Sequence, residues 1–120
     1  MTTRRNGTTI EDVRRFALSL PEVTEQSHHG IPSFRVRNRI FATVPDDAHV
    51  RVMAVEEEIR AAVEQDPSAC ELFYWGKRLA CVVVTPAAAD PEQLEGLLED
   101  AYLHKAAQAL RKQIDGGAGA

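Results

Sequence analysis

Residues 28–43 of the chain read HHGIPSFRVRNRIFAT. A turn signal of glycine and proline leads into two short segments, 33–36 and 39–44, in which β-prone residues stand among arginines. Between them lie Arg37 and Asn38, and asparagine accepts the left-handed backbone of a tight bend more easily than most residues. The stretch therefore predicts a β-hairpin with a basic tip.

A two-residue loop would fix how the two strands of this hairpin pair. The predicted cross-strand pairs are Val36 with Arg39, Phe34 with Phe41, and Arg35 with Ile40. Neither face of the tip would then be purely apolar, so the tip is expected to project from the body of the protein.

A second hairpin is predicted from segments 70–74 and 79–85, joined by the bend Trp75-Gly76-Lys77-Arg78. Glycine permits a tight turn, and the three valines at 82–84 suit a central strand. This second bend is also basic, and it carries the only tryptophan of the chain.

Three helices and one more strand complete the predicted secondary structure. A capping-box pattern at Thr8 and Glu11 starts the first helix, and Asp90 followed by a proline starts the last. Between them, apolar residues at helical spacing alternate with a run of glutamates, which indicates an amphipathic helix. The predicted helices are 9–19, a segment from Val55 that ends before Pro67, and a segment from Asp90 onward, and the additional strand is 49–53.

Length and composition indicate one domain. The chain has 120 residues, of which 44% are hydrophobic, enough for one core and too few for two ordinary domains. We expect an α+β fold in which an antiparallel sheet is packed against the N- and C-terminal helices. Its expected bounds are a flexible N-terminus at 1–8, a domain at 9–114 and a disordered tail at 115–120.

The sequence also carries signals on location and redox state. The longest apolar run, 79–84, is far shorter than the roughly 20 residues of a membrane-spanning helix. The N-terminus has arginines but no apolar stretch after them, unlike a secretory signal. Cys70 and Cys81 lack the spacing of a redox or zinc motif. We therefore expect a cytoplasmic protein, without membrane contact, whose two thiols are reduced and buried.

Charge is distributed unevenly along the chain. The formal net charge is -4, which argues against a general nucleic-acid-coating protein. Residues 31–44, however, contain three arginines and no acids, whereas residues 45–71 contain eight acids and two arginines. A polyanion would therefore bind locally, at the hairpins.

A set of short motifs extends along the chain: Leu18-Ser19-Leu20-Pro21, Glu25, the run from His29 to Val36, Ile40-Phe41-Ala42, Trp75-Gly76, Leu97-Leu98 and Ala101-Tyr102. Taken together, they resemble the MmcQ/YjbR family over roughly 9–110. The resemblance implies a CyaY/frataxin-like arrangement of sheet and helices and a DNA-binding "double wing". The chain departs from the family pattern at Arg37-Asn38, where glycine is frequent, and at 78–81, so the match is weaker at the tips than in the core.

The first functional hypothesis is DNA binding without catalysis, in which the two basic hairpins hold backbone phosphates. Three to five contacted phosphates predict, at roughly -0.9 per contact, binding that is weak and salt-sensitive. The candidate residues are Arg35, Arg37, Arg39, Lys77 and Arg78. Basic tips can also simply keep a sheet edge soluble, and this interpretation stays open.

The second hypothesis is a small-ligand or protein-interaction domain. Its pocket would lie near His29, Ser33 and Trp75. For Trp75 and Phe41, burial in the core is favoured over stacking on bases, because burial is the usual outcome for aromatic side chains.

Other chemistries find no support in the sequence. His28 and His29 are adjacent, so on a strand their side chains point to opposite faces, and no third ligand stands at a recognised spacing. Cys81 would pair with Leu72 among apolar neighbours, which keeps a thiol protonated. Ser33 lacks a nucleophile-elbow motif, and the chain has no phosphate-binding glycine motif. We therefore predict no catalytic residue, no metal and no cofactor, and the sequence carries no signal for an oligomeric state.

Overall fold

The structure, a computed structural model, describes residues 8–118 and the side chains of residues 8–114. The strands are β1 (Val23–His28), β2 (Ile31–Val36), β3 (Arg39–Thr43), β4 (Val50–Val52), β5 (Cys70–Trp75) and β6 (Arg78–Val84). The helices are α1 (Ile10–Ser19), α2 (Glu56–Gln65) and α3 (Pro91–Ala118), with a short 3-10 turn at Pro86–Ala88. All strand pairs are antiparallel, in the order β1-β2-β3-β4-β6-β5. The predicted α+β fold is confirmed.

Both predicted hairpins form through two-residue turns. Arg37 and Asn38 have φ angles of 50° and 70°, and two successive positive values characterise the type I′ turn that matches strand twist. In the second hairpin Gly76 has a φ of 65°, a conformation that glycine adopts without the steric cost of a Cβ. Local turn chemistry thus places both tips where the sequence predicts them.

A β-bulge in each hairpin shifts the register by one residue. In the first hairpin Phe34 pairs with Ala42, so the predicted pairing of Phe34 with Phe41 is wrong. The pairs Val36 with Arg39 and Arg35 with Ile40 are confirmed. The extra residue is Phe41, which is fully buried, because a bulge re-aims side chains on the strand that contains it.

The bulge of the second hairpin has the same effect. Between Phe73 and Tyr74 the register shifts, so that Cys81 lies opposite Phe73. Leu72 pairs with Val82 instead, and the predicted pairing of Leu72 with Cys81 is wrong.

One face of the sheet packs against all three helices. Directly paired residues share a face, and the buried row of Phe34, Ala42, Val52 and Val82 crosses four neighbouring strands. Each helix contributes to the same core, α1 with Val13, α2 with Ile59 and α3 with Leu98. The helices therefore form a single layer on this side of the sheet.

The other side of the sheet carries no helix among residues 8–118. We call it the open face; the row that crosses it is Gln26, Ser33, Thr43, Arg51, Val83 and Glu71. None of these six side chains belongs to the core cluster that the helices share. The domain thus has two layers, with helices on one side and solvent on the other.

Strand β1 is the main element that the sequence reasoning missed. Its residues Val23–His28 are mostly polar, and only the two ends are partly buried. It lies at the edge of the sheet, where one side pairs with β2 and the other faces solvent. Arg14 of α1 binds this strand by donating two hydrogen bonds to the Glu25 carboxylate, from Nε at 2.9 Å and from Nη2 at 3.2 Å. A strand that buries so little has no apolar alternation for a sequence pattern to detect.

The helix ends differ slightly from the sequence prediction. Thr9 rather than Thr8 caps α1, accepting a hydrogen bond from the Asp12 backbone while Asp12 reaches back to Thr9. Asp90 caps α3 as predicted, through the Gln93 backbone N–H. That helix continues to Ala118, so the disordered tail predicted from residue 115 is wrong for 115–118, and 119–120 lie outside the described residues. The predicted flexible N-terminus also lies outside them, except Thr8.

Within the described helices, including the long α3, no segment is apolar enough to cross a membrane.

Two leucines of α3 test this layer architecture. Leu98 is fully buried against the sheet, whereas Leu103 is 53% exposed. Leu98→Ala is expected to lower the free energy of unfolding by roughly 2 to 5 kcal/mol, because it leaves a cavity. Leu103→Ala should change it by less than about 0.5 kcal/mol. Urea denaturation followed by circular dichroism measures both, and equal losses would contradict the placement of α3.

Candidate nucleic-acid interface

The two basic tips lie at the same end of the sheet. Strand direction reverses at each step from β2 through β3, β4 and β6 to β5, so β2 and β5 run in the same direction. Each of these strands leads into its hairpin turn, and both turns are therefore at the end that we call the tip end. Three strand spacings separate the hairpin centres, which amounts to roughly 14 Å at about 4.8 Å per spacing.

Lys105 of α3 connects the two hairpins electrostatically. Burial lowers the pKa of Lys105 below its ordinary value, and the charges of Arg39 and Arg78 lower it further. Arg39 is the first residue of β3 in the first hairpin, and Arg78 is the first residue of β6 in the second. The pKa of Lys105 is therefore lowered by one cation from each hairpin. We call Arg39, Arg78 and Lys105 the basic cluster, because the charge of each arginine acts on the Lys105 ammonium. Lys105 was missed by sequence reasoning, because nothing in its local sequence links it to residues so distant along the chain.

Arg37 is held by neighbours within the domain. Its Nε lies 3.4 Å from a carboxylate oxygen of Glu22, and its Nη1 donates to Gln113 Oε1 at 3.3 Å. The side chain therefore ties the first tip to the C-terminal part of α3. Lys77, by contrast, is exposed in the second turn.

Arg35 lies apart from the cluster, on the open face. Its Nε donates to Ser33 Oγ at 3.1 Å, and the buried Ser33 hydroxyl donates to the Gln26 carbonyl oxygen at 2.8 Å. Arg39 points to the helix side, since it pairs with the buried Val36. Of the five predicted cations, four therefore lie at the tip end, where Arg37 is held by Glu22 and Gln113. Two of the five, Arg35 and Arg78, point to the open face.

The open face combines arginines with aromatic residues. Arg51, at its centre, places its guanidinium carbon 4.9 Å from the centre of the Phe73 ring, across strand β6. Small buried residues adjoin both groups on this face: Cys81 of β6 lies opposite Phe73, and Thr43 of β3 lies opposite Arg51. Thr43 Oγ1 has no hydrogen-bond partner in the described part of the chain. Sequence reasoning missed Arg51, whose role depends on the strand order.

Of the two aromatic residues predicted to be buried, Phe41 is buried and Trp75 is exposed. Phe41 is fully buried and meets Tyr102 of α3 edge to face, with ring centres 5.7 Å apart. Trp75 is 72% exposed, so its predicted burial is wrong. The reason is its place: it ends an edge strand just before the turn and points to the face that carries no described helix.

The pocket predicted near His29, Ser33 and Trp75 does not form. His29 lies in the turn between β1 and β2, at the end of the sheet opposite the tips, whereas Trp75 is at the tip end. Their strands lie at opposite edges of the sheet, about 20 Å apart or more at roughly 4.8 Å per strand. Ser33 is fully buried between them.

A cleft between α2 and α3 is a concave feature that the sequence did not indicate. Its volume is about 290 Å³, and Leu94, Leu97 and Val84 contribute to its lining. Glu58 and Asp100 stand at its rim, where burial and the Asp100 charge raise the pKa of the Glu58 carboxyl. The helix side is therefore acidic near this cleft.

The histidines and the cysteines are the other side chains considered for metal binding and for nucleophilic chemistry. The rings of His28 and His29 touch edge to face, with centres 4.3 Å apart. In residues 8–118 no three histidine, cysteine or acidic side chains come together as metal ligands would. Burial raises the pKa of Cys81 to about 11 and also raises that of Cys70. Thiols in this condition are poor nucleophiles at neutral pH.

This arrangement defines an α+β protein with one antiparallel sheet and a single helix layer. The family model described as YjbR matches residues 18–104, more than half of the chain, and the chain belongs to the YjbR family. The matched region includes all six strands and the basic cluster except Lys105. No curated protein and no solved structure gives a match.

Thiol reactivity tests the burial of the two cysteines. With a pKa of about 11, Cys81 is thiolate to roughly one part in a thousand at about pH 8. We expect Ellman's reagent to leave both cysteines of the native protein unmodified at that pH. Both should react promptly once urea unfolds the chain. Rapid modification of the native protein would contradict the described packing around Cys81.

Proposed function

We propose that this protein binds DNA at the tip end of its sheet, through the phosphate backbone. The observation that carries the proposal is the basic cluster of Arg39, Arg78 and Lys105, to which Lys77 adds an exposed cation on the second turn. Cations brought close together repel one another, and a phosphate placed among them relieves that repulsion. Phosphate contacts of this kind give binding without base recognition.

The distribution of acids supports an approach from the tips. Strand β4 runs toward the tip end, and α2 follows it, so Glu56 and Glu57 lie near that end on the helix side. Glu58 and Asp100 add negative charge to the same side. The acids of α2 and Asp100 therefore repel DNA from their part of the helix layer, whereas the hairpin cations and Lys105 attract it. Local attraction of this kind is compatible with the net charge of -4.

The double variant Arg39→Ala/Arg78→Ala tests this proposal. Four contacting cations predict that log affinity falls with log salt at a slope of roughly -3.6, and two contacts predict roughly -1.8. Fluorescence anisotropy with a labelled duplex, titrated between about 50 and 200 mM salt, measures both slopes.

The matched control is Arg14→Ala/Arg15→Ala, which also removes two positive charges. Arg14 of α1 pairs with Glu25, and Arg15 of α1 pairs with Asp12, so neither belongs to the basic cluster. The control is expected to keep the wild-type slope. Equal loss in both variants, or no binding by the wild type even at low salt, would overturn the proposal.

A further inference from the structure

We infer that the open face binds single-stranded nucleic acid, with bases stacked on Trp75 and on the Arg51–Phe73 pair. The inference rests on the proposed function and names its substrate: a strand whose bases are free to leave a duplex. Its phosphates contact Arg78 at the tip end and Arg35 on the opposite half of the face.

Three planar groups are already arranged on this face. Phe73 and Trp75 are two residues apart on β5 and so point to the same side, about 7 Å apart along the strand. The Arg51 guanidinium lies over the Phe73 ring at 4.9 Å. Aromatic rings and guanidinium planes are the groups on which proteins stack unpaired bases.

The exposure of Trp75 is difficult to explain by folding alone. At 72% exposure it is the most exposed large apolar side chain of the described residues. It is not part of the core cluster, since it points to the open face. An exposed indole beside an arginine, here its cross-strand partner Arg78, is suited to a base next to its phosphate.

The surface between these groups is positively charged. Ser33, Thr43 and Cys81 are small and buried, so the larger side chains of this face are the ones that a bound strand would contact. Arg35, Arg51 and Arg78 supply three cations on this face, against the single acid Glu71 of its central row. The acids of α2 lie on the other side of the sheet. Charge therefore selects the open face over the helix side for a polyanion.

A duplex cannot use these planar groups, because its bases are stacked and paired inside. It would contact the tips through phosphates alone, as described above. A single strand can make the same phosphate contacts and also stack its bases. The open face therefore predicts a preference for single strands, whether of DNA or of RNA.

Intrinsic fluorescence tests the inference directly, because Trp75 is the only tryptophan. We expect an oligothymidylate of about 12 nucleotides to quench the tryptophan emission as it binds. An oligouridylate of equal length should do the same, since stacking does not require either sugar. A duplex of equal length should leave the emission unchanged at saturation.

A pair of neighbouring substitutions isolates the stacking contribution. Trp75→Ala is expected to weaken binding of the labelled oligothymidylate roughly 5- to 150-fold, the loss of one base stack. Tyr74→Ala is the matched control: Tyr74 is also exposed, at 46%, but pairs with Leu79, which packs against the helix-side core. It should bind as the wild type does. Thermal denaturation confirms that both variants are folded, and Trp75→Phe should restore most of the affinity.

The outcomes separate this inference from the proposed function. Duplex binding with the expected salt slope, but without single-strand preference or any effect of Trp75→Ala, overturns the inference and leaves the proposed function standing. Equal losses from Trp75→Ala and Tyr74→Ala also overturn it. If neither single strands nor duplex bind at low salt, both fail. Quenching by either oligonucleotide, with selective loss in Trp75→Ala, supports the inference.

Discussion

The burial of one sheet face beneath three helices is the constraint on which the rest of the structure depends. The row from Phe34 to Val82 can leave water only if α1, α2 and α3 all pack on that side. Tyr102 of α3 strengthens the arrangement by donating a hydrogen bond to the Pro21 carbonyl, 2.8 Å away, in the loop after α1. Because every helix packs on this side, the opposite side of the sheet stays open.

Much of this fold could be predicted from local sequence. Both hairpin turns, the capping of α3 by Asp90 and the amphipathic α2 follow from residue types that act over a few positions. The register could not be predicted, since each bulge reflects how one strand packs in the sheet. Strand β1 escaped detection because its pairing with β2, rather than any apolar pattern, makes it a strand.

The candidate site could likewise be predicted only in part from the sequence. The arginines of the tips are visible in the sequence, but their grouping depends on strand order. The charges of Arg39 and Arg78 both act on Lys105 because only β4 lies between β3 and β6, and α3 packs on the same sheet. Arg51 reaches Phe73 only because β6 lies between their strands. The same order separates His29 from Trp75.

The two-layer architecture has a consequence for how such a protein evolves. Residues beneath the helices are constrained by packing, because a change of volume there costs stability. The side chains of the open face contribute less to folding, so this surface can change while the fold persists. Selection acting on positions such as Arg35, Arg51 and Trp75 would therefore reflect what the protein contacts rather than how it folds. Among relatives that share this fold, the open face is where binding preferences can diverge most freely.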